Sequence, residues 1–361
     1  MCTNPETVRR IGKIFGEVGV PLGPLFKAVP ERAPQVAVLE SCAAQVLGAS
    51  IVYSCHRYFN DVIFVADAAN LSPYVMYDDE IKAAGIPASV KTLILPRAEV
   101  LTRSEYEAVL AFRARGGRVV ADSTLLPALK ADATFPLLKQ EEKNLLGDFD
   151  DGVVRKAQNA EFRDRTVKSV AAKLKAACAV DLYVDSDNAD ILVRARTWRG
   201  ADYVFAINSK RMAGDYMGPW HRLLDKGLPN AGTVTVRRSA GAVYDLVKHM
   251  AVPFTVKNGV TEIPVSYDTN DGRVFMAVDR PLSPLVLTRK GSRISVTSPD
   301  REAMIPIRID GLGAKPLYAV VKDGRWSRDF EGVDKASVTV MNLADGRSVS
   351  ADSTMGLAGT N

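Results

Sequence analysis

Short, almost wholly apolar runs alternate with helical-period segments through the first half of the chain, and alternating apolar–polar runs take over in the second. QVAVLES (35–41), KTLILP (91–96) and RVVAD (118–122) are rich in β-branched residues, the mark of strands buried on both faces. SIVYS (50–54) and VIFVAD (62–67) are weaker strand candidates. Ser72 followed by Pro73 reads as a helix start, a capping hydroxyl and then a ring that fixes φ where no donor is needed. That helix would present Tyr74, Tyr77 and Ile81 to a core and stop near Gly85. Thr102 or Ser104 caps the next helix, each having a glutamate three residues on (Glu105, Glu107). Its expected buried stripe is Tyr106, Val109, Leu110 and Phe112, and Gly116–Gly117 ends it. Strands and helices at this spacing make parallel βαβ units with right-handed crossovers. The expectation for residues 35–178 is a flavodoxin-like α/β domain.

Residues 123–164 read as a polar, irregular connection, followed by a helix at 165–178 with Val167, Val170, Ala171, Leu174 and Cys178 on one face. The period then changes to two. ILVRARTW, DYVFAIN, TVTVRR, AVYDLV, VTEIPVSY, RVFMAV and LVLTR are separated by Gly, Pro, Asn or Asp, as in an antiparallel β-sandwich over 179–290. Asn270–Asp271–Gly272 reads as a hairpin turn. The same grammar continues over 291–361 and predicts a further small Ig-like β domain with a frayed tail. Residues 1–34 read as a lead-in. Val8, Ile11, Ile14 and Phe15 recur at helical spacing, and the prolines of PLGPLFKAVPERAP force extended backbone after them. The fold class expected is therefore α/β plus all-β.

Composition narrows the class without naming a reaction. The 361 residues are 47% hydrophobic and 25% charged, which excludes collagen-like, disordered and disulfide-scaffold chains. A net charge of +5 is slight and scattered, and gives no reason to expect a nucleic-acid partner. Four cysteines (Cys2, Cys42, Cys55, Cys178) and three histidines (His56, His221, His249) contain no zinc-site spacing. The cysteines read as reduced thiols, with Cys42–Cys55 the one bridge left open. No apolar run approaches the roughly 20 residues that cross a bilayer, and no secretory signal opens the chain. The expectation is no membrane partner and a cytoplasmic protein as written, with export left open for a longer parent.

Candidate chemistry is sparse. P-loop, dinucleotide-binding, zincin and nucleophile-elbow motifs are absent. VDSDNAD (184–190) resembles a calcium loop but has Asp190 where the turn glycine belongs. No metal and no cofactor are expected. Ligands of open parallel sheets bind beyond the carboxyl ends of the strands. There the sequence supplies Glu40, Ser41 and Cys42, then Pro96 and Arg97, then Asp122 and Ser123. Glu40 with Asp122 is a candidate acid/base pair, and Cys42 with His56 a candidate thiolate–imidazole pair. The bland alternative is that these side chains cap loops and helices. GDYMGPWHRLL (214–224), placed between two sandwich strands, gathers Tyr216, Trp220, His221 and Arg222. Aromatic faces beside polar donors suit a sugar ring, although a large aromatic more often closes the end of a sandwich.

The segment KTLILPRAEVLTRSEYEAVLAFRARGGRVVADSTLL (91–126) resembles the trimerisation domain of barrel-type β-galactosidases, which is related to class I glutamine amidotransferases. The likeness lies in a strand ending in Pro, a Leu-Thr start, a helix closed by Phe112, Gly116 and Gly117, and a strand ending in Val-Val-Ala-Asp. With VAVLES before it and a sandwich after it, the resemblance covers about residues 1–290. It implies a homo-oligomer, or a partnership with a catalytic (β/α)8 barrel that carries the reacting carboxylates. No barrel is read here, so those carboxylates transfer to no position. The amidotransferase cysteine falls where this chain has Asp122 and Ser123, so it does not transfer either. The reading is a non-catalytic accessory or oligomerisation region of a carbohydrate-associated protein. Its rivals are a small hydrolase using Glu40, Cys42, His56 and Asp122, and a carbohydrate-binding module using the 214–224 loop.

Overall fold

The computed structural model describes residues 5–48, 55–136, 167–217, 223–331 and 337–351. Five parallel strands open the fold: β1 (Val36–Glu40), β2 (Tyr74–Tyr77), β3 (Thr92–Leu95), β4 (Arg118–Ala121) and the two-residue β5 (Ala133–Thr134). They lie in the order β2-β1-β3-β4-β5, the flavodoxin-like order. Successive side chains of the inner strands go to opposite faces. Val36, Val38, Ile94 and Val120 meet α4 (Cys55–Ala68) and α7 (Lys168–Cys178). Ala37, Leu39, Leu93, Leu95, Val119 and Ala121 meet α5 (Asp78–Ala84) and α6 (Arg103–Ala114).

Thr102 caps α6 as expected, with its amide and hydroxyl donating to the Glu105 carboxylate at 2.6 and 2.8 Å. The stripe differs from the expectation by one residue: Leu110 is exposed, and Glu105, held by the cap, is buried. Gly116 takes a left-handed φ of 87°, and a Cβ on Gly117 would stand 2.4 Å from the buried Phe112 ring. Only glycine fits there.

Two elements depart from the sequence reading. VIFVAD is helical, part of α4, because Val62, Val65, Ala66 and Ala69 recur at three and four and all face the core. SIVYS lies outside the described residues. Ser72 starts no helix: its hydroxyl donates to the Val193 carbonyl at 3.0 Å, and Asn70 and Ser72 both have positive φ. The chain leaves that double turn extended, Tyr74–Tyr77 pair with β1, and the helix begins at Asp78. Of the connection expected to be irregular, β5 belongs to the sheet and 137–166 lies outside the described residues.

Beyond α7 two sheets face each other. One holds β6 (Val184–Ser186), β11 (Asn230–Val236), β14 (Thr255–Lys257) and β15 (Val260–Tyr267). The other, five-stranded, holds β7 (Ile191–Trp198), β8 (Ala201–Asn208), β12 (Ala242–Asp245), β13 (Met250–Ala251) and β16 (Gly272–Val278). Val204, Ala206, Val243, Phe275 and Ala277 fill the space between them with Val234, Val236, Ile263 and Val265. Positive φ falls on Asn270, at 54°, and not on Asp271 or Gly272, and the turn is no hairpin: β15 and β16 belong to opposite sheets. The turn chemistry is local, whereas pairing of β16 with β8 decides the topology.

The five-stranded sheet is buried on its other face as well. Tyr203, Tyr244, Val274, Met276 and Val278 join a core shared with the C-terminal strands. These are β17 (Val286–Lys290), β18 (Arg293–Thr297) and β21 (Arg325–Asp329) in one sheet, with β19 (Ile305–Asp310), β20 (Leu317–Val321), β22 (Val338–Asn342) and β23 (Ser348–Ala351) in the other. The same core takes Leu22, Leu25 and Val29 from the N-terminal segment.

That segment is helical where extended backbone was expected. α1 (Pro5–Ile14) continues through a π-helical turn (Phe15–Gly19) into α2 (Val20–Ala28). Pro21 sits in the first turn, where no donor is needed. Pro24 lies inside the helix at a cost of about 3 kcal/mol. Complete burial of Leu22 and Leu25, about 1.5–3 kcal/mol each, offsets it. Arg196 of β7 closes α2 by donating to the Phe26 and Val29 carbonyls, and pairs with Glu31 at 2.7 Å. The stripe expected at the start is present but uncovered: Val8, Ile11, Ile14 and Phe15 are exposed. Among the described residues no helix is long and apolar enough to cross a membrane.

Candidate functional site

In the order β2-β1-β3-β4-β5 the chain changes direction between β1 and β3, and their carboxyl ends flank the crevice where such sheets take ligands. A depression opens there, lined by Glu40 at the end of β1, Ser41 and Gln45 after it, Tyr58 and Phe59 from α4, and Pro96 and Arg97 after β3. Its cavity volume is about 10 Å³, room for roughly one water molecule.

Asp122, just past β4 and 2% exposed, organises the floor. One carboxylate oxygen accepts the Tyr58 hydroxyl at 2.7 Å and the Arg97 amide at 2.9 Å. The other accepts the Thr124 amide at 2.9 Å and its hydroxyl at 2.6 Å. A carboxylate has about four lone-pair positions, and all four are taken. Arg97 reaches this geometry with a left-handed φ of 44°, which turns its amide toward Asp122. Its guanidinium lies over the Tyr58 ring, 4.7 Å from the centroid. Tyr58 is thus held by its hydroxyl and by its face.

Glu40 accepts the Gln45 amide at 2.8 Å. Ser41 caps α3 (Cys42–Leu47), its hydroxyl accepting the Ala44 amide at 3.2 Å. The Cys42 amide donates to both oxygens of Asp78 at 3.0 and 3.1 Å. β3 stands between the strands that carry Glu40 and Asp122, and two strand spacings set their backbones about 10 Å apart. The side chain of His56, the proposed partner of Cys42, lies outside the described residues. Tyr58 and Gln45 were missed by sequence reasoning. The signal for Tyr58 was its place one helical turn before Val62 and two before Val65, visible once α4 is recognised as a helix.

Cys42 is a free, exposed thiol. Cys178 is buried at the end of α7, and burial pushes its pKa up to about 12, only partly opposed by the Arg118 charge. Its thiolate fraction at pH 8 is then about one part in ten thousand. A native thiol-reagent titration at pH 8 should give the same labelling for wild type and Cys178→Ala. Denaturation should expose one additional thiol in wild type alone. Equal counts after denaturation, or native labelling at Cys178, would contradict this burial.

The 214–224 loop does not connect two sandwich strands. β9 (Arg211–Met217) and β10 (Leu223–Gly227) form a two-stranded ribbon of their own, because β9 pairs with β10 and with neither larger sheet. Asn208 clamps the ribbon's base, donating to the Leu228 and Asp268 carbonyls at 2.7 and 2.9 Å. The side chains of Tyr216, Trp220, His221 and Arg222 lie outside the described residues. In the calcium-like stretch every aspartate is engaged: Asp185 by Lys175 and Asn70, Asp187 by the Thr233 amide, Asp190 by Lys168.

No family model matches the chain, and no curated protein matches it. Its fold is similar to that of solved structures. Against α-L-fucosidase isoenzyme 2 from Paenibacillus thiaminolyticus the TM-score is 0.50 at 11% identity, covering 76% of this chain and 53% of that one. A β-galactosidase from Bacillus circulans sp. alkalophilus gives 0.44 at 12%, covering 75% and 45%. A GH42 β-galactosidase from G. stearothermophilus gives 0.44 at 14%, covering 74% and 44%. The chain thus spans about half the length of the first of these.

Proposed function

We propose that this chain is a non-catalytic accessory and oligomerisation region of a glycoside-hydrolase-like, carbohydrate-associated protein. The observation that carries the reading is the saturation of Asp122. A general base needs a free lone pair within reach of the substrate proton, and this buried carboxylate spends all of its own on Tyr58, Arg97 and Thr124. The crevice beside it has the volume of a water molecule, whereas small-molecule sites run to about 300–1,000 Å³. Two further points support the reading: the similarity of fold to the fucosidase, of which this chain spans about half, and the likeness of 91–126 to a β-galactosidase trimerisation domain. In such a protein the catalytic carboxylates belong to a barrel partner, and this chain supplies shape and assembly.

The test is hydrolysis of aryl-galactosides and aryl-fucosides by the purified chain. No turnover above the buffer rate is expected, from wild type or from Glu40→Gln. Turnover that disappears in Glu40→Gln would make the β1–β3 crevice an active site and overturn the proposal.

A further inference from the structure

The charge surplus that is scattered along the sequence is gathered in the fold. The strands of one C-terminal sheet, β17, β18 and β21, hold five basic residues (Arg289, Lys290, Arg293, Arg325, Arg328) and one acidic, Asp329. The other sheet, of β19, β20, β22 and β23, holds one of each, Arg308 and Asp310. The first sheet thus carries a net charge of +4, against +5 for the whole chain. Its inner face packs Ile294, Val296 and Trp326 on the core, which turns Lys290, Arg293 and Arg325 to the outer face. Lys290 and Arg293 are register partners at one end of that face, and Arg325 stands at the other. Four residues along the strands separate the two ends by about 13 Å. Between them Thr288, Ser295 and Ser327 set three hydroxyls side by side across the strands. Arg301 adds a cation beside the Arg325 end, where its side chain passes 2.9 Å from the place of a Cβ on Gly324. Lys290, Arg293 and Arg325 are all exposed. Arg293 reaches Ser327 at 3.2 Å and Asp329 at 3.6 Å, and Asp323 is engaged by Arg199 at 2.9 Å. Lys290 and Arg325 make no ion pair among the described residues.

We infer that the outer face of this sheet docks a polysaccharide that bears carboxylate or sulfate groups. The inference rests on the carbohydrate-associated part of the proposed function and names the kind of carbohydrate. A guanidinium offers paired donors that match a carboxylate or a tetrahedral oxyanion. The neutral hydroxyls of a sugar ring need both donors and acceptors, and each group of the middle row is both. Two cationic ends held about 13 Å apart suit a chain with recurring anions rather than one small anion. Other occupants match the face less well. Nucleic acid bound without sequence preference stacks its bases on aromatic rings, and Trp326, the one aromatic of these strands, is turned to the core. A lipid surface takes up apolar side chains, and Val286 is the one large apolar residue that the face exposes. A second copy of the face would set like charges against each other.

Fluorescence anisotropy tests this with labelled dextran sulfate, labelled polygalacturonate and labelled neutral dextran, each titrated with the full chain at about 0.15 M salt. Wild type should bind at least one of the anionic polymers and leave neutral dextran unbound. Which polymer binds tells sulfate from carboxylate recognition. Lys290→Ser combined with Arg325→Ser should weaken binding about tenfold. Lys82→Ser combined with Lys173→Ser removes the same charge from exposed positions on α5 and α7, and should change binding by less than about twofold. Thr288→Ala combined with Ser295→Ala keeps every charge and should weaken binding about threefold. Near-UV circular dichroism of all three variants should match wild type. Failure to bind either anionic polymer, or an equal loss in the two charge variants, would overturn the inference and leave the accessory reading standing. A hydroxyl variant that binds as wild type does would reduce the face to a general anion patch and overturn the sugar assignment. Tighter face-dependent binding to poly-L-glutamate, single-stranded DNA or anionic vesicles would give the face to another partner and equally overturn it. Glycoside turnover, by contrast, bears on the accessory reading and not on this face.

Discussion

Asp122→Ala is expected to lower the unfolding free energy by about 4 kcal/mol, the cost of stranding buried donors. The Thr124 amide and hydroxyl are half-buried and can turn to water, so their share is small. The larger share falls on the Tyr58 hydroxyl and the Arg97 amide. Tyr58 is 7% exposed, and the Arg97 amide is aimed at Asp122 by a left-handed backbone. Asp122→Asn keeps one acceptor oxygen and turns an NH2 toward two donors, so about 2 kcal/mol is expected. Removing the stranded hydroxyl should recover part of the loss. Tyr58→Phe combined with Asp122→Ala should therefore cost less than the sum of the two single changes. Urea denaturation of the four variants reads these numbers. A loss under about 1 kcal/mol for Asp122→Ala would show that the carboxylate is not structurally committed, and would reopen it as a catalytic group.

Tyr203 should show the largest effect of any single aromatic. Its ring, 1% exposed, lies between the five-stranded sheet and the C-terminal strands. Its hydroxyl donates to the Met304 carbonyl at 2.8 Å and accepts the Met304 amide at 2.7 Å. Tyr203→Phe leaves both Met304 groups buried without partners, at about 2–3 kcal/mol. Tyr203→Ala adds a ring-sized cavity, for a total near 5 kcal/mol. The difference between the two variants measures the ring, and the Phe variant measures the hydroxyl. Equal losses in both would mean that the ring contributes nothing to the joint, against the packing described.

How much of this was visible beforehand follows the range of the interactions involved. The Thr102–Glu105 cap, the Gly116–Gly117 stop and strands β3 and β4 were legible, because each is decided within a few residues or by burial on both faces. The α/β plus all-β class followed from the change of period near residue 180. Ser72–Pro73 misled because the serine hydroxyl is captured by Val193, 121 residues away. Pro24 misled because the burial that offsets it comes from β19 and β20, nearly the whole chain later. At the candidate site, Glu40, Arg97 and Asp122 were visible as strand-end residues. The saturation of Asp122 was not, since Tyr58 arrives from α4, whose apolar run 62–67 read as a strand. Asn270–Asp271–Gly272 shows the same limit: its turn conformation is local, but its partners are chosen by sheets.

The placement of α2 has a consequence for how the chain is made. Leu25 is synthesised well before Ile305 of the same core, which follows 280 residues later by their numbering. At about 5–20 residues per second, α2 waits roughly 15–60 s with its apolar side chains in water. Throughout that interval α2 has no core to join, and it settles only once strands most of the chain away have been made.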